Sequence, residues 1–233
     1  MRSTVATLPL AGALARPVAG AETRLVGVPA PLATLFPEGG VRKGTTVAVG
    51  TAGGGASLAL AMAASVTSAG GWVAAVGWPS LGLVAATELG VDLRRLALVP
   101  TPGDQWATVT AALVDGFDLI MLCPAGRVRI ADARRLAARV RERRSLLMIV
   151  DAPGWPELPD LRLTVEPGGW QGLGAGHGCL TGRRLEVVAA GRRVGGRERR
   201  REVWLPAAAG GLQTVEPSGA AAVPAGPVLE VVG

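Results

Sequence analysis

Residues Thr45 to Leu60 read TTVAVG, TAGGGAS and LAL: an apolar β-branched run, a glycine cluster, then an apolar helical segment. Strand, glycine-rich turn and helix in that order is the build of a phosphate-binding loop, G-x-x-x-x-G-K-[ST]. Such a unit belongs to a parallel α/β sheet, and it constrains the fold more than any other stretch. Gly50, Gly55 and Ser57 are in register with the motif. Ala56 stands where the lysine belongs.

The pattern repeats downstream. The helix from Ala56 to Ala69 is apolar on nearly every side, as expected of one buried against a sheet, and Gly70-Gly71 stops it. Further strands are predicted at Trp72–Val76, Leu96–Val99, Asp118–Cys123 and Ser145–Val150. Helices are predicted from Pro79 to Leu89, Gln105 to Val114, and Ala131 to Arg144. Continuous apolar strands alternating with helices indicate a parallel sheet covered on both faces. After Asp151 a proline-rich linker gives way to short alternating segments at Leu161–Val165, Leu185–Ala189 and Glu202–Leu205. These predict antiparallel strands added on the C-terminal side, with hairpins at 172–182 and 191–200. The division expected is an irregular lead-in over 1–37, a core domain over 38–205 and a flexible tail over 206–233.

The chain of 233 residues is 49% hydrophobic, enough for one substantial core. No apolar run is built like a membrane span, and Pro9 and Arg16 interrupt the N-terminal apolar patch. Two cysteines make neither a disulfide framework nor a metal pair. His177 lies near Cys179 without a third ligand, so no metal site is expected. A cytoplasmic location is the default. The net charge is +6, and of 24 basic residues only Lys43 is not arginine. That skew fits a GC-rich genome as well as an anionic partner such as DNA.

The G-G-V-R-K-G run before the first core strand, the loop, its helix and the E-L-G-V-D stretch at Glu88–Asp92 together resemble the core of bacterial RecA recombinases. The similarity extends through the Gln105 helix and the two strands ending at Cys123 and Val150. It spans roughly 38–205. The length and the departures from the catalytic pattern are similar to the ImuA family, in particular its ImuA-prime branch of actinobacteria. That resemblance implies a RecA-like P-loop core and a place in a DNA-damage-induced mutagenic complex. The implied partners are an ImuB-type Y-family polymerase relative and, through it, an error-prone C-family polymerase and the sliding clamp.

A RecA-like ATPase needs a lysine on the phosphates, a carboxylate for magnesium and a glutamate that activates water. The matching positions here are Ala56, Cys123 and Trp78. All three are neutral, so neither ATP hydrolysis nor a retained cofactor is expected. The glycine loop then reads as a structural turn. Family members bind DNA through loops after the fourth and fifth strands. Here these are short, with Arg127 and Arg129 in the first. Phosphate contacts are most plausible at Arg127, Arg129, Arg183, Arg184, Arg192, Arg193, Arg197, Arg199 and Arg200, against the alternative of solvated arginines. By the same resemblance, a partner segment is expected in a groove over 96–117, anchored by Trp106, Val109, Leu113 and Phe117. Ordinary core burial is the alternative for each and is favoured for Phe117. Two rival functions remain open: a divergent DNA-dependent ATPase, and a SulA-like inhibitor of cell division.

Overall fold

The computed structural model describes residues 24–215 except 51, 125, 152 and 174–176. In chain order, β1 (Leu25–Gly27) leads through a 3₁₀ turn at Ala30–Leu35 to β2 (Gly40–Arg42). β3 (Thr45–Val49) then feeds the glycine loop and α1 (Gly55–Ser68). Next come β4 (Val73–Val76), α2 (Leu83–Glu88), β5 (Leu96–Val99) and α3 (Trp106–Val114). β6 (Leu119–Leu122), α4 (Ile130–Arg143) and β7 (Leu146–Val150) complete the alternating part. β8 (Leu161–Leu173), β9 (Gly178–Ala190), β10 (Arg199–Trp204) and β11 (Gln213–Thr214) follow.

Nine of these strands form one sheet in the order β11-β10-β9-β8-β3-β7-β6-β4-β5. From β8 to β5 every pairing is parallel, and from β8 to β11 every pairing is antiparallel. The α/β class and the antiparallel additions are as the sequence predicts. The parallel strands lie between two layers. On one face α1, α2 and the Ala30–Leu35 turn cover a core that includes Leu32, Leu58, Met62, Met121, Met148 and Leu163. On the other, α3 and α4 cover Ile120, Leu122, Leu136, Leu147 and Ile149. Strands buried on both faces explain the near-absence of polar residues between Val73 and Val150 in strand positions.

Three expectations change. The lead-in is not irregular throughout, since β1 pairs antiparallel with β2, while Leu32, Leu35 and Phe36 are buried as the apolar anchor their sequence suggests. The expected tail begins inside the fold, because β11 pairs with β10. Residues 1–23 and 216–233 lie outside the described residues. The third change is the largest. The strands expected at Leu161–Val165 and Leu185–Ala189 are each 13 residues long. Only Leu161–Leu163 pair with β3, so the rest of β8 runs beyond the end of β3 on β9 alone, and past Pro167, where β10 no longer flanks β9, the two strands form a two-stranded ribbon.

One buried polar cluster fixes where β8 begins. The Asp160 carboxylate accepts from the Thr46 amide and hydroxyl, both at 3.0 Å, and from Arg192 at 2.9 Å. The Asp160 amide donates back to the Thr46 hydroxyl at 3.1 Å. A buried carboxylate with these donors around it satisfies itself and locks the linker onto β3.

Candidate functional site at the glycine loop

Parallel neighbours end at the same edge of a sheet, so the residues after β3, β4, β6 and β7 gather there. The loop after β3 turns tightly. Gly53 and Gly54 take φ values of 68° and 114°, which side chains disfavour. A Cβ on Gly55 would lie 1.6 Å from the Gly50 carbonyl oxygen, so the two glycines are in direct backbone contact. Ala56 and Ser57 are half-buried in the first turn of α1.

Trp78 and Cys123 follow β4 and β6, which pair in parallel with Val76 beside Leu122. Gly77 sits so close to Cys123 that an added Cβ would meet its carbonyl oxygen at 2.2 Å, and the Cys123 amide donates to Val76. Trp78 packs half-buried against the core on the face that α1 covers. Burial, and then the charge of Asp151, push the Cys123 thiol above the usual range. Asp151 is therefore part of this edge. It follows β7, holds a φ of 51°, and its amide donates to the Val49 carbonyl. Its signal in the sequence was an aspartate closing an apolar strand.

Arg183, expected from the sequence as a phosphate contact, instead reaches the glycine loop. Its Nη2 donates to the Gly53 carbonyl oxygen at 2.5 Å, and its guanidinium lies 5.3 Å from the Trp170 ring centroid. β8 and β9 close on the loop around it. A side chain at Gly53 would meet the Val165 carbonyl oxygen at 2.9 Å, and one at Gly54 would meet Leu185 at 3.1 Å. This donor set does not fit a magnesium nucleotide. The cation nearest the loop is committed to a carbonyl and an aromatic ring, the metal position is a raised thiol, and the base position is an indole. Among the described residues no three metal-ligating side chains cluster.

The nine candidate arginines do not form one face. Arg184 pairs with Glu202, Arg192 with Asp160, and Arg200 with Glu166, Glu186 and Glu198. Three carboxylates drive the Arg200 guanidinium further above its ordinary range. Arg199 donates to the Thr34 carbonyl oxygen. Arg127, Arg129, Arg193 and Arg197 have no ion pair among the described residues, and Arg127, Arg129 and Arg197 are exposed.

The expected partner groove is corrected. Trp106, Leu113 and Phe117 are buried in the core between α3, α4 and the sheet, and Val109 is half-buried against it. The apolar side of α3 is spent inside the molecule. What this end of the sheet presents instead is the outer edge of β5, unpaired among the described residues, with Leu98 41% exposed and Leu93 and Val84 also exposed.

The order of strands, the glycine loop and the two helical layers define a RecA-like α/β fold. A solved RadB recombinase has the same fold: a TM-score of 0.58 at 15% identity, covering 83% of this chain and all of that one. The chain belongs to the family described as the MT3502 N-terminal domain, whose model matches residues 34–157. It is also 39% identical over 195 residues to the uncharacterized protein Rv3395c of Mycobacterium tuberculosis strain H37Rv, covering 77% of this chain and 90% of that protein. Among the described residues no helix is long and apolar enough to cross a membrane.

Proposed function

We propose that the chain is a non-hydrolysing RecA-like adaptor of a DNA-damage-induced mutagenic translesion synthesis complex, working in the cytoplasm. The observation that supports this reading most is that Ala56, Trp78 and Cys123 meet at one sheet edge, each neutral where an ATPase needs charge. Phosphoryl transfer is catalysed by positioning and charge, and one cationic group alone is worth about 10³–10⁵ in rate. Losing the cation, the metal carboxylate and the base together leaves a scaffold.

The partner is an ImuB-type protein, which would link the chain to an error-prone C-family polymerase and the sliding clamp. Its docking place is the outer edge of β5, unpaired among the described residues. An unpaired strand accepts a further strand through backbone hydrogen bonds, and the exposed Leu98 and Val84 supply apolar contact. DNA contact, where it occurs, uses Arg127, Arg129, Arg193 and Arg197, and should weaken steeply with salt.

The test is calorimetry of the full chain with magnesium-ATP, alone and with the ImuB-type partner. The expected outcome is no heat from nucleotide and clear heat from partner. Binding of the partner should be lost in Leu98→Asp. Magnesium-dependent hydrolysis that Ser57→Ala abolishes would replace the adaptor with a DNA-dependent ATPase.

A further inference from the structure

Two adjoining cavities, of about 420 and 640 Å³, open between α4, the linker before β8 and the turn after β9. They share Arg134, Glu157, Leu158 and Arg192. They are therefore two lobes of one cleft, on the opposite face of the sheet from α1. Neither the glycine loop nor the β5 edge contributes a lining residue.

The chemistry of the cleft is uneven in an informative way. Arg134 is paired with Glu157, and Arg192 with the buried Asp160, so the shared centre is electrically balanced. Each lobe then adds one arginine with no ion-pair partner among the described residues. Arg141 lines the smaller lobe and Arg162 the larger. Four arginines against two carboxylates leave two positive charges in excess. Leu158 is common to both lobes, one of which holds Arg141 and the other Arg162, and is 86% exposed. Ile130, 47% exposed, extends the apolar wall in the larger lobe, and the half-buried Trp155 extends it in the smaller. A leucine held in water between prolines, with an unpaired cation in each lobe, is an arrangement with no evident role in stability.

We infer that this cleft is a docking site for a short acidic peptide segment of a partner protein, in which an apolar side chain is flanked on both sides by carboxylates. The apolar residue would cover Leu158, and the carboxylates would pair with Arg141 and Arg162. A guanidinium accepts a carboxylate through two parallel N–H bonds, which sets both geometry and preference. A nucleic-acid strand fits less well. The sheet face that continues from the cleft carries Glu166, Glu186, Glu198 and Glu202 around Arg184 and Arg200, so a polyanion leaving the cleft meets no net positive path. This site is separate from the β5 edge and stands without the adaptor role.

The experiment is selection of random short peptides on the immobilised full-length chain, followed by fluorescence anisotropy of labelled synthetic copies. The expected result is enrichment of Asp or Glu on both sides of Leu, Ile, Val or Phe. Binding should fall by about tenfold or more in each of Arg141→Glu, Arg162→Glu and Leu158→Asp, the loss typical of an interface anchor. Arg24→Glu, exposed and outside the cleft, should leave it unchanged. The three variants change exposed side chains without ion pairs, so the fold should survive them, which circular dichroism checks. Failure to select any peptide, selection of peptides without carboxylates, or equal binding to the variants would overturn the inference. So would displacement of the peptide by a single-stranded thymidine oligonucleotide whose own binding Arg141→Glu abolishes, since the cleft would then be a nucleic-acid site.

Discussion

Arg183 on β9 donates to the carbonyl oxygen of Gly53, a residue 130 positions earlier in the chain, at 2.5 Å. This contact joins the ribbon to the glycine loop. Loops with several glycines lose much entropy on ordering, and a charged donor on a loop carbonyl offsets part of that cost. Arg183→Ala should therefore leave the sheet intact and loosen the loop. Amide hydrogen exchange over 52–57 is expected to quicken, with a stability loss of about 1.5–3 kcal/mol, the range for hydrogen bonds to charged groups. Unchanged exchange in that segment would mean that Pro167 and Leu185 hold the loop without the arginine.

Gly55 and Gly82 offer a paired comparison. A Cβ on Gly55 would sit 1.6 Å from the Gly50 oxygen, and backbone cannot yield as a side-chain tip can. A Cβ on Gly82 would meet nothing nearer than Ala85 at 3.6 Å. Gly55→Ala is expected to cost on the order of 3 kcal/mol or more, whereas Gly82→Ala should change stability by about 0.5 kcal/mol or less. Urea unfolding of both variants measures the difference.

Asp160→Ala removes the acceptor of the buried Thr46 amide. Arg192 is 77% exposed at its side chain and regains water when its partner goes. The loss therefore comes mainly from the stranded amide, about 1–3 kcal/mol. Asp160→Asn keeps an acceptor oxygen and should lose less. The order wild type, Asn, Ala in thermal midpoint is the expected result.

Much of the fold could be read from residues alone. Apolar strands without alternation, closed by glycine stops, mark the parallel sheet, and parallel pairing puts the residues after β3, β4 and β6 at one edge of it. The ribbon was hidden for a physical reason. Pro167, Gly168, Gly169 and Gly172 read as a turn, yet two of these glycines let strands touch: a Cβ would meet the Arg184 oxygen at 2.3 Å from Gly168 and the Cys179 oxygen at 2.0 Å from Gly172. The register shifts at the same places. Trp106 and Leu113 show the opposite failure. An apolar face on a helix does not say whether the sequence buries it in its own core or offers it to a partner, and α3 buries it. The role of Arg183 at the loop had no local signal, because its partner lies across the fold.

Cys123 and Cys179 should label differently. Cys179 is exposed, whereas Cys123 is half-buried with its thiol raised first by burial and then by Asp151. A raised thiol holds less thiolate at neutral pH, and the thiolate is what reacts. Iodoacetamide at neutral pH should modify Cys179 first, with Cys123 following only as the pH rises. Removing the negative charge in Asp151→Asn lowers the Cys123 thiol toward its ordinary range, so its labelling should start at lower pH. Peptide mapping by mass spectrometry reads both rates, and equal rates in wild type would contradict the placement of Cys123.

Returning the lysine tests whether the loop is one substitution away from catalysis. Ala56→Lys restores one charge of three. Cys123 still offers no oxygen to magnesium, and Trp78 still offers no base, so phosphate release should stay at the protein-free background. Adding Cys123→Asp supplies the metal carboxylate, and magnesium-ATP is then expected to bind, seen as heat by calorimetry, without turnover. Adding Arg183→Ala should weaken that binding, because the loop then loses both a nearby cation and the contact that orders it. The carboxylate that stands closest to taking over is Asp151, beside Cys123 at the same edge. If Ala56→Lys alone hydrolyses ATP, then Ala56→Lys with Asp151→Asn should lose that activity. In that outcome the edge kept a working carboxylate after β7, and Cys123 is not the loss that silences the site.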